Sequence, residues 1–95
     1  MEIKRFDEAD YLKTEEDMAG YLTAAAEDGD PAVMALALGA VARARGMTQL
    51  ARDTGLTREG LYKALSPGGN PSLDTVARVA RALGFKLGFQ PLEAV

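Results

Sequence analysis

The chain has 95 residues, which is enough for one small domain with a modest core, and its formal net charge is −3. It contains neither cysteine nor histidine, which excludes disulfides and thiolate metal sites and removes the usual general base and the commonest zinc ligand. No apolar run forms a signal peptide or approaches the roughly 20 residues of a membrane span. The sequence therefore predicts a soluble, cytoplasmic protein with no membrane contact.

The charge is segregated along the chain. Residues 1–42 hold three basic and ten acidic side chains, a net charge of −7, whereas residues 43–86 hold eight basic and three acidic ones, a net charge of +5. A basic half suits a polyanion, and an acidic half suits a basic partner. Ordinary surface charge over so short a chain is the alternative, so the asymmetry is supporting evidence only.

Capping residues predict the first elements. Asp7 caps a single turn whose Tyr11 and Leu12 anchor it on the core. Thr14 begins a capping box for a helix over residues 15 to about 27, whose acidic first turn complements the helix dipole. The apolar stripe of this helix consists of Met18, Tyr21, Leu22, Ala25 and Ala26.

A second helix begins at Asp30 and Pro31, because a missing N–H costs nothing at the first helical position. It runs to Arg45, and Gly46 fits the position just past its end. The helix is apolar nearly all round, which predicts a place at the centre of the core. Arg43 and Arg45 in its last turn either contact a phosphate or compensate the helix dipole, and both interpretations remain open.

Two short helices joined by a tight turn come next. Thr48 is predicted to cap the first helix, Gly55 ends it, and Thr57 caps the second. Leu61 and Leu65 lie four residues apart and therefore share one face of that second helix.

The outer face of the second helix is left to Arg58, Glu59, Tyr62 and Lys63. This is the helix-turn-helix pattern, whose second helix has the size to enter the DNA major groove. Arg, Glu and Lys side chains can read base edges there. Gln49, at the start of the first helix, is placed to meet a phosphate. An αα-hairpin with a solvated polar face is the alternative.

The chain closes with a helix and a predicted strand. Ser72 caps a helix over residues 73–83. Its inward side chains are Leu73, Val76, Ala77, Val79, Ala80 and Leu83. Residues 85–90 alternate apolar with polar or small side chains, which is a strand period. Since a lone strand must pair, its partner is either the arm of residues 3–6 or the same strand of a second subunit in a two-fold dimer.

The residues for catalysis are missing. Glu15, Glu16 and Asp17 are consecutive, so their carboxylates do not converge on one point. Gly68 and Gly69 are too few for a phosphate-cradling loop and lack the following lysine. The sequence therefore predicts a protein that is not an enzyme and that has no cofactor and no metal site.

Residues 45–51, 54–66, 70–71 and 83–84 carry a family resemblance, and residues 11–12, 21–22 and 29–31 extend it over nearly the whole chain. The Tyr-Lys-Ala-Leu-Ser and Asn-Pro pieces are the more specific ones. These stretches resemble the probable addiction module antidote proteins, which are HigA-like antitoxins with a lambda-repressor/Cro-type DNA-binding domain.

The residue patterns and the resemblance together predict an all-α fold of five or so helices, with a lambda-repressor-like helix-turn-helix and a short C-terminal β-strand. Residues 1–95 form a single domain. Within it, residues 1–42 are an acidic helical extension and the candidate toxin-binding part. Residues 43–84 are the DNA-binding part, and the strand at residues 85–90 is the possible dimer contact.

The resemblance implies an antitoxin that neutralises a RelE/HigB-like toxin, which cleaves mRNA on the ribosome. It also implies a homodimer that binds its own operator DNA, with the toxin as co-repressor. By the family pattern the DNA-binding residues are Gln49, Thr57, Arg58, Glu59, Gly60, Tyr62 and Lys63. Gly60 departs from the small polar residue that many repressors carry at this position.

Two other functions compete with this one. A stand-alone helix-turn-helix transcriptional regulator without a toxin needs the same DNA-binding half, so the sequence hardly separates it from an antitoxin. A pure protein-interaction module with a vestigial motif is distinguished by a lack of DNA affinity at low salt.

Overall fold

The computed structural model describes residues 7–93, and this part of the chain is all-helical. A short 3-10 helix, Glu8–Tyr11, precedes five α-helices. These are α1 (Glu15–Asp28), α2 (Pro31–Arg45), α3 (Met47–Thr54), α4 (Arg58–Ala64) and α5 (Leu73–Ala82). The predicted all-α class with about five helices is confirmed. None of the helices within residues 7–93 has both the length and the apolar character that crossing a bilayer requires.

Side-chain caps confirm the predicted starts of the 3-10 helix, α1, α2 and α5. Thr14 Oγ1 accepts a hydrogen bond from the backbone N–H of Asp17, while the Asp17 carboxylate accepts one from the backbone of Thr14, which completes the capping box. The other three caps accept a backbone N–H in the first turn of their helix, and these are Asp7, Asp30 and Ser72. Each cap satisfies an N–H that a helix leaves without an internal partner.

Helix α2 lies at the centre of the core, as its nearly uniform apolar sequence predicts, and carries the most buried residues of any helix. Its Gly39 lies against the end of α4, where an added Cβ would be 2.6 Å from the carbonyl oxygen of Leu65. The two backbones can approach this closely only because residue 39 has no side chain. The core consists of Leu12, Met18, Leu38, Ala40, Val41, Ala42, Met47, Leu50, Leu61, Leu65, Val79 and Leu83.

A single residue, Gly46, joins α2 to α3 and replaces Thr48 as the cap of α3. Its φ of 110° lies in the region that favours glycine, its N–H donates to the carbonyl of Ala42, and its own carbonyl accepts from the N–H of Leu50. The prediction that Thr48 caps this helix is therefore wrong. Because α2 ends one residue before α3 begins, the cap position is already taken and Thr48 lies inside the first turn.

Two large side chains predicted to face the core are exposed. Leu12 is buried as expected, but Tyr11 of the same turn is 65% exposed. Leu73 is 77% exposed, although it is in phase with the inward face of α5. The residues of α5 that pack on the core begin only at Val76, so the first turn of the helix extends beyond it. Two alanines predicted to face inward, Ala26 and Ala77, are likewise exposed.

The predicted C-terminal strand is also wrong for this chain. Residues 85–93 follow α5 without regular secondary structure, and the described residues include no strand. Only Phe85 is tied down, because its N–H donates to the carbonyl of Ala80 and its ring packs on the core, whereas Leu87 and Phe89 are exposed. A strand needs the backbone of a neighbour, and residues 7–93 offer none. One of the two partners proposed for the strand, residues 3–6, lies outside the described residues.

Candidate nucleic-acid interface

The turn between α3 and α4 is built by the two residues that the sequence singled out. Gly55 adopts a left-handed conformation with φ 75°, and its N–H donates to the carbonyl of Ala51, which ends α3. Thr57 Oγ1 accepts a hydrogen bond of 3.0 Å from the N–H of Gly60 and so begins α4. Both predictions are confirmed, and α3 packs against α4 across this turn.

Thr54 stabilises the same turn from the inside, a role that no sequence pattern indicates. The side chain is buried, and its hydroxyl donates to the carbonyl of Leu50 at 2.8 Å. It also accepts a hydrogen bond of 3.2 Å from the N–H of Leu56, the second residue of the turn. The buried hydroxyl group thereby has its hydrogen-bonding capacity satisfied, and it also fixes the direction in which the chain leaves α3.

Helix α4 buries one face and exposes the other, as its leucine spacing predicts. Leu61 and Leu65 are buried in the core. The opposite face exposes Arg58, Glu59, Tyr62 and Lys63. On this face the Cζ atom of Arg58 lies 5.5 Å from the centroid of the Tyr62 ring, a cation–π contact that orients the guanidinium group.

The remaining predicted DNA-binding residues are also exposed, but two of them use their side chains in internal hydrogen bonds. Gln49 lies in the first turn of α3, and its Nε2 donates to Asp53 Oδ1 at 2.9 Å. Thr57 uses its hydroxyl for the cap of α4. An added Cβ at Gly60 would lie 2.9 Å from that hydroxyl, so the glycine leaves the cap unobstructed.

The exposed charge on the two helices is nearly balanced. Helices α3 and α4 carry three basic side chains, Arg52, Arg58 and Lys63, against two acidic ones, Asp53 and Glu59. Their net charge of +1 is much smaller than the +5 of residues 43–86. The charge of the interface is therefore set by the placement of a few side chains.

One basic residue, Arg43, is paired with the acidic half. Its Nη2 lies 3.0 Å from Asp7 Oδ1, and its Nε donates to Asp7 Oδ2 at 3.3 Å. The hydrogen bond from Arg43, followed by the one from the Ala9 N–H, lowers the pKa of the Asp7 carboxyl below its usual value. The two open interpretations of Arg43 are thus joined by a third, an ion pair that ties the end of α2 to the N-terminal turn.

Two further arginines donate to carbonyl groups at helix ends. Arg45 Nη2 donates to the carbonyl of Leu83 at the end of α5 at 3.1 Å. Arg78 Nη1 donates to the carbonyl of Thr54, the last residue of α3, at 3.2 Å, and its Nε pairs with Asp74. A cation at a helix C-terminus satisfies an orphan carbonyl and complements the dipole. The two contacts with carbonyl groups join distant parts of the chain, so no local pattern could have revealed them.

The acidic residues of the N-terminal half do not gather into a metal site. Within residues 7–93 no three acidic side chains converge closely enough to hold a metal ion. Glu15, Glu16 and Asp17 lie side by side in the first turn of α1, where negative charge complements the helix dipole.

The fold and the interface define a small all-helical domain whose two short helices, joined by a tight turn, expose a polar face beside an acidic helical half. The chain belongs to the family of probable addiction module antidote proteins, whose family model matches residues 2–91. An antidote of an addiction module is an antitoxin and implies a toxin as its partner. A relative from Haemophilus influenzae, named only "Uncharacterized protein", is 45% identical over 89 residues, which cover 94% of this chain and 92% of the relative. No solved structure gives a significant match.

Proposed function

We propose that this chain is the antitoxin of a type II toxin–antitoxin system, which neutralises a RelE/HigB-like toxin in the cytoplasm and represses its own operon by binding operator DNA. The observation that carries the DNA-binding part is α4, which is anchored by the buried Leu61 and presents four polar or aromatic side chains outward. Membership of the antidote family supports the antitoxin part. The role is one of binding and not of catalysis.

In the DNA complex α4 is the recognition helix. Arg58 reads a base edge, because its side chain is exposed on the first turn and is already oriented by the Tyr62 ring. Lys63 and Gln49 contact phosphates, and binding of Gln49 requires its amide to leave Asp53. The carboxylate of Glu59 selects against phosphate and for a cytosine amino group.

Operator binding involves a homodimer, so that two copies of α4 meet half-sites about one helical turn, or 34–36 Å, apart. The exposed side chains of Leu87 and Phe89 support a contact between copies, because large apolar groups exposed to solvent are typical of surfaces that bind another protein.

The first experiment co-expresses this chain with the product of the small open reading frame adjacent to its gene. We expect that product to arrest growth alone, to be harmless with this chain, and to co-purify with it. A harmless neighbour that does not co-purify contradicts the antitoxin function and favours the stand-alone regulator.

The second experiment measures binding to the DNA upstream of the chain's own operon and to random DNA of equal length. We expect Arg58→Ala to lose about 1–3 kcal/mol on the upstream DNA and much less on random DNA. Arg81→Ala is the matched control, since Arg81 is an exposed arginine that belongs to α5 and not to α3 or α4. Equal losses on both DNAs would make Arg58 a phosphate contact and contradict its role in base recognition.

A further inference from the structure

A half-open groove of about 300 Å³ lies where the N-terminal half meets the end of α4. Its walls come from the 3-10 helix, α1, α2, the start of α3, and α4 with the segment that follows it. Tyr21, Leu36, Tyr62 and Pro67 supply apolar and aromatic surface, and Glu8 and Arg43 supply the charges. The volume is that of a pocket for one large side chain and its neighbours.

Leu36 is the feature of this groove that the fold does not explain. It is 43% exposed in the middle of the helix that otherwise forms the centre of the core. Three residues further on, Gly39 lets α2 approach the carbonyl of Leu65 directly. This contact brings the exposed leucine and the exposed ring of Tyr62 to the same groove. An apolar group from a partner would cover both and remove them from water.

The charge at the rim of the groove is negative. Arg43 is neutralised by Asp7 at 3.0 Å, whereas Glu8 forms no ion pair within residues 7–93. Outside the groove, further acidic side chains are exposed on the same turn and at the start of α1, and these are Asp10, Glu15 and Glu16. Burial raises the pKa of the Tyr21 hydroxyl, and the charge of Glu8 adds to that effect, which fits a rim that favours cations.

We propose that this groove is the docking site for the toxin, in which a basic segment of the toxin places one apolar side chain against Leu36 and Tyr62 and a neighbouring cation beside Glu8. The inference rests on the proposed antitoxin function. A protein that acts on RNA has a basic surface, which is complementary to this rim. A second copy of the chain carries the same acidic half and would meet it with like charge.

The test is the affinity of purified variants for the purified product of the adjacent open reading frame, measured by calorimetry. Leu36→Lys places a cation in the groove at a helical position that lysine tolerates, and we expect it to weaken binding by about tenfold or more. Leu73→Lys is the matched control, since Leu73 is an exposed leucine at the start of another helix and does not line the groove. It should keep the wild-type affinity.

A second pair of variants tests the charge of the groove and leaves the apolar core unchanged. Glu8→Lys should weaken toxin binding severalfold, and the effect should shrink as salt is raised because the interaction is screened. Asp10→Lys, on the same turn but outside the groove, should change the affinity much less. Circular dichroism establishes that each variant is folded.

The outcomes distinguish a failure of the proposed docking site from a failure of the proposed function. Wild-type affinity in both Leu36→Lys and Glu8→Lys would overturn the groove while leaving the antitoxin function intact. If Leu36→Lys leaves the toxin affinity unchanged but alters the sedimentation of the chain in the absence of the toxin, a second copy of the chain occupies the groove. That result would overturn the inference. No binding by the wild type would overturn the proposed function, and the docking site with it.

Discussion

The acidic and the basic halves of this chain differ in how the fold uses their charges. In the acidic half, among residues 7–42, only Asp7 forms an ion pair, and most other carboxylates are exposed. In the basic half, Arg43, Arg45 and Arg78 each bind another part of the chain. Net charge along a sequence therefore overstates the positive surface of the basic half, while the negative surface of the acidic half is nearly all available to a partner.

The largest predicted effect comes from disrupting a close backbone contact between the two halves. Gly39→Ala places a Cβ 2.6 Å from a backbone oxygen, which cannot rotate away, so we expect the free energy of unfolding to fall by about 1–3 kcal/mol. Urea denaturation measures it. Gly20→Ala in α1 is the control, because its Cβ meets nothing within 4 Å and alanine should stabilise that helix by up to about 1 kcal/mol. Equal stability of the two variants would contradict the packing at Gly39.

A smaller loss of stability is expected from an arginine that the fold uses. Arg45→Ala removes the hydrogen bond to the Leu83 carbonyl and the contact with the Met18 sulfur. Because the side chain is partly exposed, we expect a loss of about 1 kcal/mol in the free energy of unfolding. The same urea titration tests this. A variant as stable as the wild type would contradict the structural role of Arg45 and place it among the basic side chains that are free to bind a partner.

Arg52 sharpens the comparison, because it is an exposed arginine of α3 with no hydrogen bond or ion pair within the described residues. We expect Arg52→Ala to change stability by less than about 0.5 kcal/mol. If it faces a phosphate, the slope of log affinity against log salt should fall by about 1. DNA titrations at several salt concentrations measure that slope. An unchanged slope together with a clear loss of stability would reverse the roles of Arg45 and Arg52.

The smallest effect concerns the ion pair between the halves. The pKa of Asp7 is lowered in the folded chain, so the pair stabilises the protein above the unfolded pKa, near 3.8, and this contribution is lost as pH falls through the folded pKa. Since both side chains are more than a third exposed, we expect less than about 1 kcal/mol. Asp7→Asn keeps a capping side chain and removes the charge.

Thermal denaturation should find Asp7→Asn slightly less stable than the wild type at pH 7. At an acidic pH below the lowered folded pKa, the two proteins should become indistinguishable, because the wild-type carboxyl is then protonated as well. A difference of the same size at both pH values would assign the effect to the cap instead of the charge.

Local patterns predicted what local chemistry controls. The N-caps at Thr14, Asp30, Thr57 and Ser72 were predictable because each is satisfied by an N–H within three residues. The exposed face of α4 was predictable because two leucines four residues apart fix the buried face.

What escaped prediction depends on contacts between distant residues. Gly46 is the N-cap of α3 in place of Thr48, because only one residue separates the end of α2 from the start of α3. The strand at residues 85–90 follows the correct period but has no neighbour within residues 7–93. In the predicted DNA-binding set, the bond from Gln49 to Asp53 and the stacking of Arg58 on Tyr62 are set by side-chain conformations that a sequence does not reveal.

The one-residue joint at Gly46 also limits how this domain can be recombined. Successive side chains of an α-helix point about 100° apart around the helix axis. Inserting or deleting one residue in the last turn of α2 or the first turn of α3 would therefore rotate the exposed face of α4 by more than a quarter turn relative to the acidic half. A chimera that grafts α3–α5 onto another N-terminal extension must preserve this spacing, whereas a longer linker would let the two surfaces rotate independently. The joint thus makes one indivisible unit of two parts whose sequences look separable.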